Sequence, residues 1–421
     1  MRIPDTLSLL THGYDAGARI WRRVPDGARS APMRLLGRRA LLVRGPEGVD
    51  AFYDDARIAR RGAMPAVVRE PLFGHGSVHG LDGDAHRHRK AAFTAVAYDD
   101  AEVDRLRPLL EAEWRAEQAA WLAGGGRSVY DAGVGAYGRA VLRWAGTPGT
   151  AAARTRWAAR LAQIVDGFGA PYSPAYLRAV QNRVRSDRHA RRLVDAVRAG
   201  ELQPDSRTAL AVWALHRDER GVLLPARTAG VELQNCVRPM IAVARFAAFA
   251  AKALHDHPDA RRDIAREVAE RGVRTDGPRA VAFAQEVRRT APFVPMLPGR
   301  VMRDTTVDGR TVAEGGRLVL DILGTDLDGA SWERPDDFDA ERFLGVDAYE
   351  ALPAFVPHGG ADVATGHRCP GEKLAIAGLS VAVAALSDPR LEIPGEGLGV
   401  NRRRLPTRPA SGGRVRRCPF H

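Results

Sequence analysis

Between Phe355 and Gly378 the chain reads FVPHGGADVATGHRCPGEKLAIAG. Its first half is a glycine-rich loop, and its second half turns apolar and helical, so Cys369 stands where a helix begins. Pro370 suits the first turn of that helix, where a missing amide hydrogen costs nothing. Backbone N–H groups and the positive end of the helix dipole lower a thiol's pKa at such a place. On spacing alone the stretch fits an ordinary capped helix with a free thiol equally well. Cys418 is an internal control: it too precedes proline, in Arg-Arg-Cys418-Pro-Phe-His421, but no glycine loop leads into it and no helix follows. It reads as a plain thiol, and Cys236, inside an apolar helical run, reads as packing. Three cysteines in 421 residues exclude a disulfide scaffold and fit a reducing compartment.

A hydrophobic content of 45% indicates a globular chain. The longest near-continuous apolar run, Leu374 to Leu386, is short of the ~20 residues that span a bilayer. The opening MRIPDTLSLLTHGYD lacks the basic, then apolar, pattern of a signal peptide. These features predict a cytoplasmic protein without a membrane anchor. The formal charge is +12, yet of 63 basic residues only Lys90, Lys252 and Lys373 are lysine. That imbalance reads as coding bias. Clusters such as Arg402 to Arg404 lack interleaved aromatics, and no nucleic-acid motif is present.

Helical spacing dominates: Ala101 to Leu122, Thr150 to Val165, Tyr176 to Ala199, Arg227 to His255 and Pro258 to Arg271. Strand signals fall at Ala40 to Arg44 and Arg317 to Ile322. Asp326 to Gly366 is rich in Asp, Gly and Pro, and reads as a long irregular segment, of a length that is usually functional or disordered. The expected fold is mainly α with a small β portion, as one domain over 1–421.

Three ordered motifs point to a family. The loop has Phe355, its glycines, His367 two residues before Cys369 and Gly371 two after. Upstream stand Glu286-Val-Arg-Arg289 and Phe338-Asp-Ala-Glu-Arg342-Phe343. Together they resemble the heme loop, the Glu-x-x-Arg pair and the Phe-x-Pro-Glu-Arg-Phe motif of the cytochromes P450. Ala340 replaces the proline, Thr365 replaces a common glycine, and the loop is longer than usual. The resemblance implies heme b between a long distal helix and the proximal loop, with Cys369 as the thiolate ligand of its iron. By motif position it implies His86, Lys90 and His367, with Arg60 as a weaker candidate, as partners of the heme carboxylates. His86 and Lys90 are four apart, so a helix puts them on one face.

The distal helix sets the branch. Oxygen-using members carry an acid–alcohol pair there, whereas this chain has Val231-Glu-Leu-Gln-Asn-Cys-Val-Arg238-Pro239. Arg238-Pro239 resembles the bacterial fatty-acid peroxygenase branch. So do Arg60-Arg-Gly-Ala-Met-Pro65, Pro71-Leu-Phe73-Gly, Leu81 to Lys90, Gly359 to Asp362 and Gly366 to Glu372; Gly169 to Arg188 departs from it. The resemblance implies that Arg238 holds a fatty-acid carboxylate, a match its planar fork suits. That carboxylate then serves as general acid–base for hydrogen peroxide, and Pro239 bends the helix to make room. His79 resembles a heme-facing position where histidine marks alkene-forming decarboxylases and glutamine marks hydroxylases. Phe73 and Phe293 match apolar pocket positions and also fit simple core aromatics. The expected activity is peroxide-driven Cα or Cβ hydroxylation and decarboxylation of free fatty acids, without a redox partner. The rivals are a dioxygen monooxygenase with a partner and a heme sensor without turnover.

Overall fold

The computed structural model describes residues 5–169 and 173–419. Helices make up most of it, around a five-stranded sheet and two two-stranded ladders. The sheet runs Ser30–Leu35, Arg38–Val43, Arg317–Asp321, Met296–Val301, Ile58–Ala59 in spatial order. Only the contact of Arg38–Val43 with Arg317–Asp321 is parallel, pairing Leu41 with Leu318 and Val43 with Leu320. No described helix is long and apolar enough to cross a membrane.

The helix Glu372–Leu386 is apolar on every side and buried throughout except at Lys373, as an all-round apolar helix must be. It packs against Asp100–Leu122, Pro278–Thr290 and Ala244–Asp256. Trp114, Trp121, Trp144, Trp213 and Tyr137 are among the largest buried side chains of the main core to which these helices contribute.

Four of the five expected helices form within two residues of their predicted ends: Asp100–Leu122, Ala151–Asp166, Pro174–Arg198 and Pro258–Arg271. The fifth divides into Ala226–Ala242 and Ala244–Asp256. Pro239 has no amide hydrogen to return to Asn235, and the interruption falls at Val243, whose N–H bonds to the Met240 carbonyl at 3.2 Å. The helix after Cys369 starts at Glu372, with Gly371 as its cap, so Pro370 stands two residues ahead of it and not in its first turn. The Cys369 N–H bonds to the His358 carbonyl at 3.0 Å, which keeps the loop closed on itself until Gly371.

The first part of the irregular segment after Asp326 is tied down by a buried ion pair. Arg289 forms a two-pronged ion pair with Glu286, at 2.7 and 2.6 Å, and both side chains are wholly buried. Its remaining donors reach the carbonyls of Asp326 at 3.0 Å, Pro335 at 2.8 Å and Asp337 at 3.1 Å. Glu286 also accepts from the Asp339 N–H at 2.9 Å. Removing one member of a buried pair strands the other charge. Glu286→Ala should therefore cost about 3–5 kcal/mol, read as a lower denaturation midpoint or loss of soluble protein.

Candidate active site

A cavity of about 320 Å³ opens beside Cys369. Its floor is the loop carrying Pro357, His358, Gly359, His367 and Cys369, followed by Leu374 of the buried helix. Its roof is Asn235, Cys236, Arg238, Pro239, Met240 and Val243 of the divided helix, with Phe246 beyond the break. One side is the helix Gly83–Ala97, which presents His86, Lys90 and Phe93; the opposite side is Phe293, Val294 and the strand residues Met296 and Leu297. Phe73 and His79 enter from the segment before that helix. Apart from Arg368, the rest of the wall is apolar.

The floor is built by backbone geometry. Gly359 has φ +89°, and a Cβ there would stand 2.8 Å from the Tyr53 hydroxyl oxygen. Tyr53 is needed in place, because it accepts from the Gly360 N–H at 2.9 Å. Beneath Cys369, Glu372 pairs with Arg288 and with Arg368, the latter at 2.7 Å. Arg288 also donates to His358 Nδ1, at 3.2 and 2.9 Å. Arginine can only donate, so the His358 proton sits on Nε2.

Burial pushes the Cys369 thiol pKa up, and the Gly371 N–H and Lys90 charge only partly offset this. That reverses the expectation of a lowered pKa, because the helix start lies three residues on and desolvation dominates. A metal ion changes this balance, since a coordinating thiol is deprotonated outright.

On the roof, Arg238 is buried, and burial, with the Arg183 charge behind it, lowers its pKa to about 9. Its Nη2 donates to Asn235 Oδ1 at 2.8 Å, its Nε has no partner, and its guanidinium lies 5.6 Å from the Phe73 ring. Among the described residues no carboxylate pairs with it. His79 stacks on Phe73 with ring centroids 3.9 Å apart. Its open surface faces the cavity interior, so burial, then Arg238 and Lys90, lower its pKa to about 3 and leave it neutral at physiological pH.

At the edge, His86 stacks on His367 at 3.8 Å, and the Lys90 ammonium donates to the Arg368 carbonyl. Burial brings Lys90 down to about 8, although Cys369 and Asp362 favour its charge. Arg60, by contrast, does not reach the wall. It lies 4.0 Å over the Phe52 ring with Nη1 buried and unpartnered, and its charge lowers the His367 pKa from behind.

Every other expected site residue, Cys369, Arg238, Pro239, His79, His86, Lys90, His367, Phe73 and Phe293, lines this one cavity. Sequence reasoning missed Asn235, His358, Phe168 and Phe246. It also read Cys236 as packing alone, though this residue lines the cavity while its sulfur accepts from Trp213 Nε1 at 3.0 Å. Asn235 was accessible as the residue one turn before Arg238. Of the departing segment Gly169 to Arg188, residues 170–172 lie outside the described residues.

The family model for cytochrome P450 matches residues 278–387. A curated relative, steroid 21-hydroxylase of Sus scrofa, is 35% identical over 117 residues, 28% of this chain and 22% of that protein. The chain thus matches about a fifth of the length of such curated relatives. The solved structures reach further. Cytochrome P450SP alpha in complex with (R)-ibuprophen is 35% identical, with a TM-score of 0.89 over 99% of this chain and 98% of that one. The chain is a cytochrome P450. It belongs to the bacterial fatty-acid peroxygenase branch, and a variant of cytochrome P450 OleT in complex with arachidonic acid also matches, at 27% identity, 99% and 96% coverage and a TM-score of 0.90.

The family implies heme, and the wall of this P450 fits one. It offers the Cys369 thiol on the floor, the Lys90 ammonium with the His86 and His367 imidazoles at one edge, the Arg238 cation and Asn235 amide on the roof, and a largely apolar lining elsewhere. Cys369→Ser should remove the red-shifted ferrous carbon monoxide band of a thiolate-bound heme, and Cys418→Ser should leave it intact. Absorption spectra of the two purified variants check both outcomes.

Proposed function

We propose that this P450 is a cytoplasmic peroxygenase that uses hydrogen peroxide to hydroxylate free fatty acids at Cα or Cβ and to decarboxylate part of them to terminal alkenes. The observation that carries the reading is Arg238, a buried cation on the roof of an apolar cavity with a neutral amide as its hydrogen-bond partner. A buried charge without a counter-charge costs several kcal/mol, and a bound carboxylate supplies that counter-charge. The guanidinium fork receives it through Nε and the free donor positions.

When bound, heme with a thiolate ligand supplies the oxidising chemistry, and sulfur donation favours cleavage of the O–O bond. The protein supplies position and proton control. Arg238 fixes the carboxylate, and with it the first carbons of the chain, above the Cys369 side of the cavity. One carboxylate oxygen, held by Arg238, takes a proton from peroxide and returns it to the departing oxygen. Phe73, Phe293, Phe246 and Leu297 take up the alkyl chain and exclude water. Hydroxylation then consumes one peroxide and yields hydroxy acid and water; decarboxylation yields alkene, carbon dioxide and two waters. His79, neutral and stacked on Phe73, stands where the branch resemblance places a product-directing residue. No acid–alcohol pair lines the roof, which counts against a dioxygen enzyme with an electron-transfer partner. His86, Lys90 and His367 are the proposed partners of the heme carboxylates; Arg60 supports them only from behind.

Holoenzyme given peroxide and fatty acids of several lengths should form α- and β-hydroxy acids and alkenes without reductase or NAD(P)H, as read by mass spectrometry. Arg238→Ala should lower kcat/KM for free fatty acids by about 100-fold or more, the cost of truncating one partner of a buried charge pair. Turnover only with a reductase would favour the monooxygenase, and unchanged kinetics in Arg238→Ala would remove the carboxylate role. His79→Gln should shift product from alkene towards hydroxy acid. Because His79 is already neutral across pH 5–8, wild type and variant should share one pH profile there.

A further inference from the structure

Glu232 lies six residues before Arg238 on the same helix, outside the cavity wall, yet its carboxylate joins the roof to the segment carrying Phe73 and His79. Its side chain is fully buried. Oε1 accepts from the Val78 N–H at 2.8 Å and from Arg89 Nη1 at 3.2 Å, and Oε2 accepts from Asn235 Nδ2 at 2.9 Å. Asn235 Nδ2 also donates to the Phe73 carbonyl at 3.0 Å, and Asn235 Oδ1 accepts from Arg238. The Arg89 guanidinium supplies the counter-charge and donates to the Gly76 carbonyl at 2.8 Å. Phe73, Gly76 and Val78 are thus fastened to one carboxylate, directly or through a single side chain. Gly74 lets the segment lie this close: at φ +90°, a Cβ there would meet Val231 Cγ1 at 2.6 Å.

We propose that Glu232 is a positioning residue that holds Arg238 and His79 in one register and so decides which carbon of the fatty acid is oxidised. This rests on the carboxylate reading of Arg238. An ionised carboxylate only accepts, so it fixes the Asn235 amide with its NH₂ towards Glu232 and its oxygen towards Arg238. The same carboxylate holds the Val78 N–H, next in the chain to His79. Releasing it frees both ends together: the Asn235 amide is free to turn its NH₂ against the guanidinium, and His79 loses its anchor. Misplacement by about 1 Å changes rates by about 100-fold, enough to exchange Cα for Cβ as the favoured carbon.

The test uses the heme-loaded enzyme with Glu232→Ala, Glu232→Gln and Arg238→Ala. Readouts are fatty-acid affinity by spectral titration, the ratio of α-hydroxy, β-hydroxy and alkene products, and the Tm. Glu232→Ala should weaken fatty-acid binding about 10-fold and change the product ratio at least about 5-fold, with the carbon monoxide band unchanged. Glu232→Gln, which keeps one acceptor, should move the same quantities in the same direction by less, and it decides the matter if the alanine variant does not fold. A lowered Tm with wild-type affinity and product ratio in either folded variant overturns the proposal, because a merely structural role moves only Tm. Should Arg238→Ala leave fatty-acid affinity unchanged, the carboxylate reading itself fails. Lost affinity there with unaltered Glu232 variants sinks only the positioning role.

Discussion

Arginine forks meeting carboxylates in a dry interior hold the floor of this molecule together. Arg289 satisfies Glu286 with two donors and three backbone carbonyls with the rest, so the stretch from Asp326 to Asp339 is fixed without regular secondary structure. Arg288 and Arg368 converge on Glu372, one turn past the cysteine. Such pairs are weak evidence for stability in themselves, because desolvating two charges offsets most of their attraction. What they contribute here is direction: planar forks leave few geometries open. The Cys369 loop, closed on itself and short of the helix, rests on that frame.

The roof follows the opposite rule. Arg238 lies in a comparably dry place, but its hydrogen-bond partner is an amide and another cation stands behind it. Burial, and after it the Arg183 charge, depresses its pKa, which measures how poorly the surroundings tolerate the charge. The floor therefore answers its own electrostatic demand and the roof does not. The asymmetry suits a site that receives an anionic group from outside and is arranged for it beforehand. Glu232 and Asn235 keep the guanidinium aimed while it waits.

The loop around Cys369, the order of the three motifs and the Arg-Pro pair were legible because each concentrates unusual residues at fixed spacing. Long amphipathic helices were legible for the same reason. The helix Val129–Trp144 went unread: its Gly133, Gly135 and Gly138 count against a helix locally. In the fold, Gly133 and Gly138 allow contact with Ala244 and Ala158 that a Cβ would obstruct. The break at Val243 was visible as a proline but not as a place, since the interruption falls four residues on. Arg60 matched a motif, yet stacking on Phe52 turned its side chain away from the wall. Whether burial or a helix end governs Cys369 depends on how deeply the loop sits, which no local pattern records. Glu232 stood at helical spacing from Asn235 and Arg238, but its meaning depends on which distant segment crosses above it.

A site whose proton-handling group arrives with the substrate is also an interlock. Without a fatty acid, the polar groups facing the roof are the Arg238 cation, the Asn235 amide and a His79 imidazole whose pKa is held down to about 3, all poor acceptors of a proton from peroxide at neutral pH. On the proposed reading, the empty enzyme is slow to activate its oxidant, and the two reactants must be present together before bond cleavage becomes fast. On that reading, an Arg238 guanidinium without a counter-charge leaves the machinery one component short and spares the cavity's sulfur and aromatic side chains idle oxidation.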